Sequence, residues 1–217
     1  MSKSMSMSIA RLPFVFVVAA VFAALPLAGC VSDQGVELGY ESDVVALSDA
    51  EVEGILDRGV AAAAVEASLL RRDLTGEVQT CRMHIIVVDR SGSVIGRRSM
   101  ADAWGGSVSI AKSKAYTAAA FSSHENALTT RSLGALTQPG GALWNIGNSN
   151  YEAGPGLIEF PGGVPLYNDG RLVGAVGVSG DGVEQDENVA EAAAEGFEPV
   201  EAIRIDTVTD GNVPYTQ

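Results

Sequence analysis

From Ser48 onward the apolar positions Val52, Ile55, Leu56, Gly59, Val60 and Ala63 recur at helical spacing, and Ser48 with Glu51 three residues later writes a capping box. The pattern predicts a helix from Ser48 to about Leu70, broken by LLRRDLTGEVQ. The period then shortens. MHIIVVD and VIGRRSM, joined by the turn RSGS, read as a β-hairpin. SVSIAKSKAYTAAAF returns to helical spacing, opening at Gly105-Gly106-Ser107, with Val108, Ala111, Ala115, Ala118 and Ala119 on one face and Lys112 and Lys114 off it. HENALTTRSLGAL predicts a second helix, and the glycine-rich QPGGALWNIGNSNYEAGPGLIEFPGG is too long to be a passive connection. VPLYND and RLVGAVGVSG form a second hairpin, because Asn168-Asp169-Gly170 tolerates positive φ. An acidic helix over Val183 to Glu195 follows, and the tail EPVEAIRIDTVTDGNVPYTQ allows a short strand and offers no chemistry.

The predicted order is helix, hairpin, two helices, loop, hairpin, helix. That order weighs against one tempting motif. VGAVGVSGDGVEQDENVAEAA runs from a strand through glycines into a helix, as dinucleotide sites do, but hairpins imply antiparallel pairing and a dinucleotide fold needs parallel strands. Asp181, Glu184, Asp186 and Glu187 would also meet a phosphate with four like charges. They are expected to complement the helix dipole and to serve subunit contact. The glycines are expected to let a neighbouring backbone approach closely.

Charge narrows the partners. With 14 Lys plus Arg against 27 Asp plus Glu in 217 residues, a nucleic-acid backbone is excluded as a partner. The amino terminus reads as a processing segment. Lys3 and Arg11 precede the apolar FVFVVAAVFAALPLA, which is too short for a comfortable membrane span, and Leu27-Ala28-Gly29-Cys30 looks like a bacterial lipobox. The expectation is a signal peptide over 1–29, a diacylglycerol thioether on Cys30 and a polar tether over 30–46. A domain over 47–198 and a tail over 199–217 follow. The lipid would hold the protein in the cell envelope, facing the periplasm or exterior, and Val31 after Cys30 permits sorting to an outer membrane. With Cys30 lipidated, Cys81 stands alone and no internal disulfide framework exists. No Cys/His spacing resembles a zinc site.

In order and spacing, three stretches resemble the GlcG/HbpS family: MHIIVVDRSGSVIGRRSMADAWGGSVSIAKSKAYTAAAF, QPGGALWNIGNSN, and FPGGVPLYNDGRLVGAVGVSGDGVEQDENVAEAA. The resemblance covers about Leu47 to Ala194. It implies a profilin-like α+β fold, a central antiparallel sheet flanked by helices, that assembles into homo-oligomers. Members include extracellular haem-binding proteins that work with sensor partners, a haem-binding domain fused to a corrinoid adenosyltransferase, and proteins encoded beside glycolate oxidation genes. Haem is therefore the implied cofactor. Two departures stand out: the His that looks like the iron ligand in the first helix of the adenosyltransferase-linked members has no counterpart between Ser48 and Leu70, and YEAGPG is inserted before Leu157.

Haem needs an axial donor, an apolar slot and groups for its propionates. His84 and His124 are the imidazole candidates for the metal, with Met83, Met100, Tyr116 and Tyr151 as weaker donors. His84 shares a strand face with Ile86 and Val88, so it also reads as a buried core histidine, and His124 as a surface residue. Arg97, Arg98, Lys112, Lys114 and Thr117 can hold the carboxylates of haem or of a small organic acid, or form solvated ion pairs. Trp104 and Trp144 can line a flat slot or anchor a core or oligomer. Two other classes stay open: an enzyme acting on a small organic acid, and a cofactor-free sensory or structural module. Ser179 near Glu184 and Asp186 lacks the spacing of a nucleophile elbow, and no catalytic residue is assigned.

Overall fold

The computed structural model describes residues 45–144, 146 and 156–217. The signal peptide, Cys30, nearly all of the tether, Tyr151 and most of YEAGPG lie outside these residues.

Helix α1 (Asp49–Val65) starts as its sequence dictates. The Ser48 side chain accepts from Glu51 N–H, and the Glu51 carboxylate accepts from Ser48 N–H at 2.7 Å. The helix ends five residues before the expected Leu70. Ala67–Arg72 is instead strand β1, paired antiparallel with β2 (Val78–Thr80). A tertiary contact overrides the local helical pattern: the Asp181 carboxylate accepts from Ser68 Oγ and, at 2.7 Å, from Leu69 N–H, drawing the chain out of the helix.

The expected hairpins form strands β3 (His84–Asp89) and β4 (Val94–Ser99), and β5 (Gly163–Asn168) and β6 (Arg171–Ser179). They combine into one antiparallel sheet of order β4-β3-β6-β5. Asp169 and Gly170 both take positive φ, 48° and 74°, as a two-residue primed turn requires. Helix α2 is Ser107–Phe121. The second predicted helix is shorter than expected: α3 covers only Thr130–Leu136, because Ser123 Oγ accepts from Glu125 and Asn126 N–H and holds 123–126 in a turn. Helix α4 (Val183–Ala193) closes the domain, and the tail forms a 3-10 turn, Glu201–Ile203, and a short α5, Ile205–Val208, rather than a strand. A single parallel bridge, Ala127 to Arg204, ties it down.

The alternation of β3 sorts the core. Ile85 and Val87 face α1 and α4, with Ile55, Leu56, Val189 and Ala193. Ile86 and Val88 face α2, against Ala111, Ala115, Ala118 and Ala119. The glycines of VGAVGVSG find their use here: a Cβ on Gly177 would lie 2.1 Å from Ala111 O and 2.4 Å from Ala115 N. Helix α2 therefore lies directly on β6, and the glycine is a packing surface. The fold is α+β, as expected.

Candidate functional site

His84 opens β3 on the α2 side of the sheet, with its side chain 4% exposed. Trp104 O, 2.9 Å from Nε2, can only accept, so Nε2 donates to it. Ser99 Oγ lies 2.8 Å from Nδ1 and accepts from Arg97 Nε at 3.1 Å. Both imidazole nitrogens are thus engaged.

The Trp104 indole stands above this chain of contacts at 47% exposure. Arg71 on β1 lies over its ring, 5.7 Å from the centroid. The Arg71 guanidinium is held by the Asp102 carboxylate at 3.1 Å, on a residue whose φ of 63° is left-handed. Arg71 Nε is buried and has no hydrogen-bond partner among the described residues. Together Trp104, Arg71 and Asp102 make a lip that joins an aromatic plane to a cation, with His84 behind it.

The other candidates lie elsewhere. His124 Nδ1 accepts from Leu172 N–H at 3.0 Å, and its Nε2 lies 3.1 Å from the Arg90 guanidinium. Arg98 pairs with Glu53 and lies 4.0 Å from Asp57. Lys112 is exposed on α2. Thr117 is buried, and its hydroxyl accepts from Ile158 N–H at 3.0 Å. The structure therefore joins His84 and Trp104, and does not bring His124, Arg98, Lys112 or Thr117 to them through any direct contact it describes.

Lys114 corrects the reading of α2. It is not off the buried face: its exposure is 0%, and its Nζ donates to Asp186 Oδ2 at 2.7 Å and to Val178 O at 3.0 Å. Asp186 Oδ1 also accepts from Gly180 and Asp181 N–H at 3.0 and 3.1 Å, a donor set that suits an ionised carboxylate. Burial works against both charges, pulling Lys114 below the ordinary lysine value and lifting Asp186 above the carboxylate value. Beside it, Arg131 donates to the buried Glu187 at 2.7 Å and to Glu184 at 3.0 Å. Asp186 and Glu187 are thus internal ion-pair partners, buried against Lys114 and Arg131, and Asp186 also stands in the first turn of α4, where the helix dipole favours a carboxylate. Arg71 and Asp102 were missed by sequence reasoning. Their only signal was Asp102 within the Met-Ala-Asp-Ala-Trp run.

The model of the family described as "Haem degrading protein HbpS-like" matches residues 60–195, which include this lip from Arg71 to Trp104. The chain belongs to the HbpS-like family. An uncharacterised 15.0 kDa protein of Citrobacter freundii, encoded between dhaT and dhaS, is 36% identical over 111 residues, 51% of this chain and 72% of that protein. The corrinoid adenosyltransferase PduO of Citrobacter freundii is 37% identical over 109 residues, 50% of this chain but 30% of PduO. Among solved structures, a PduOC–haem complex is similar with a TM-score of 0.55 and 29% identity, covering 80% of this HbpS-like chain and 100% of that one.

Haem can be set against the residues present. The exposed indole with the Arg71 guanidinium over its ring fits a flat, carboxylate-bearing group. Direct ligation of its iron fits less well, since Nδ1 of His84 is engaged by Ser99 Oγ and Nε2 donates to Trp104 O. A ligand bond at His84 would need one of these hydrogen bonds to be exchanged.

Proposed function

We propose that this HbpS-like protein binds haem for sequestration, sensing or delivery, as an exported, lipid-anchored homo-oligomer. The observation that carries the reading is family membership together with the likeness to the whole of a domain solved with haem. The lip at Trp104 supports it, offering an apolar plane with Arg71 and Arg97 close by for propionates. The lipobox at Leu27 to Cys30 supports anchoring, and exposed Leu70, Leu74 and Val78 on the β1–β2 hairpin support self-association.

The test is a haemin titration of the chain from Val31 to Gln217, followed by Soret absorbance. Saturation at a fixed ratio, weakened by Trp104→Ala and Arg71→Ala, is the expected result. His84→Ala and His124→Ala then report whether either imidazole reaches the iron. Weak, non-saturating uptake that none of the four changes would refute haem binding and turn attention to small organic acids. Mass spectrometry of protein from membranes checks acylation of Cys30.

A further inference from the structure

Strands β1 and β2 form a sheet of their own, separate from the four-stranded sheet that carries His84. Strand β1 nevertheless delivers Arg71 to the lip, with the guanidinium 5.7 Å from the Trp104 ring centroid. Something must hold it there. The Asp102 carboxylate, 3.1 Å from the guanidinium, is 89% exposed, and an ion pair with so open a partner contributes little. The arginine stem also loses rotamer freedom when its head is fixed, so the backbone from which it springs has to be set first.

That backbone is tied to the end of β6. The Arg71 N–H donates to Ser68 Oγ at 2.7 Å, and the Leu70 N–H reaches the same oxygen at 3.2 Å. Ser68 is 3% exposed, so water does not compete for that oxygen. Its hydroxyl donates to the Asp181 carboxylate, which also accepts from Leu69 N–H at 2.7 Å and from Leu70 N–H at 3.3 Å. Hydrogen bonds to a carboxylate are roughly twice as strong as neutral ones. Asp181 is anchored in turn, because its own N–H donates to Asp186 Oδ1 at 3.1 Å and Asp186 is the partner of buried Lys114. An unbroken line of hydrogen bonds thus runs from the buried ion pair through Asp181 and Ser68 to the Arg71 backbone.

We propose that Ser68 and Asp181 are positioning residues of the lip: they set the Arg71 backbone so that its guanidinium lies over the Trp104 indole and is presented to a ligand carboxylate. The consequence for haem rests on the lip being the haem site; the placing of Arg71 does not.

The test reads Trp104 first and haemin second, on the full chain in mild detergent. Trp144→Phe leaves Trp104 as the remaining tryptophan, and acrylamide quenching of its fluorescence reports how far the indole is covered. Arg71→Ala should raise the quenching. Ser68→Ala and Asp181→Asn should each raise it as well, and neither should add to it once Arg71→Ala is present. Ser68→Thr, which keeps the hydroxyl, should quench as the parent does. In the haemin titration Ser68→Ala should weaken uptake by about two- to tenfold, the scale of one hydrogen bond, and do nothing further in combination with Arg71→Ala. Quenching unchanged by Arg71→Ala, or unchanged by both Ser68→Ala and Asp181→Asn, would overturn the proposal. So would an equal rise in the Arg71→Ala background, which would mean that the two residues only stabilise the fold. If the parent shows no saturable haemin uptake, the haem reading fails, and the quenching cycle alone decides whether Ser68 and Asp181 place Arg71.

Discussion

Replacing Lys114 by Met keeps the aliphatic stem and removes the cation that faces Asp186 at 2.7 Å. Both side chains are almost wholly enclosed, 0% and 3% exposed, so water cannot take the place of the ammonium. Breaking a buried pair by removing one partner costs about 3–5 kcal/mol, because a charge is left without its counterion. In a domain of this size that is a fall of about 6–20 °C in Tm. The Gly180 and Asp181 N–H groups keep Asp186 Oδ1 satisfied, so the whole penalty falls on Oδ2. The cost must then depend on pH. Burial already lifts the folded-state value of Asp186, and loss of Lys114 lifts it further. A carboxyl with a raised folded value binds more protons folded than unfolded between the two values. The variant therefore loses stability as pH rises through that window and regains it towards the ordinary carboxylate value. Urea unfolding followed by circular dichroism, at neutral pH and near pH 4.5, measures both effects. Adding Asp186→Asn should restore most of the loss at neutral pH, since the amide oxygen keeps both backbone donors and no charge remains. A Lys114→Met variant within about 1 kcal/mol of the parent at neutral pH, or one that weakens on acidification more than the parent does, would refute an ionised buried pair.

Gly177→Ala should cost at least ~2–3 kcal/mol, the upper range for overpacking, because its Cβ meets the α2 backbone rather than a movable side chain; thermal unfolding checks it. Ser48→Ala removes one side of a complete capping box and should cost about 1 kcal/mol in urea unfolding, with an unchanged m-value. Cys81 is fully buried, and burial together with the Asp181 and Glu66 carboxylates pushes its thiol up to about 12. It should therefore resist a disulfide reagent at pH 8 in the folded chain and react fully in denaturant; rapid reaction of the native protein would contradict this burial.

The parts of the fold that were legible share one property: the signal and its cause lie within a few residues of each other. The capping box at Ser48, the primed turn at Asp169-Gly170 and the alternation of β3 all carry their physics locally. Failures begin where a distant group decides. Residues 67–70 continue a helical pattern, and the Asp181 carboxylate, 112 residues from Leu69, helps to hold them as a strand. Lys114 looked like a solvated cation because nothing near it in sequence shows that Asp186 will be delivered to it by α4. The candidate site divides in the same way. Trp104 and His84 stood out by residue type, whereas Arg71 became relevant only once β1 existed, and the same long-range contact helps to hold β1.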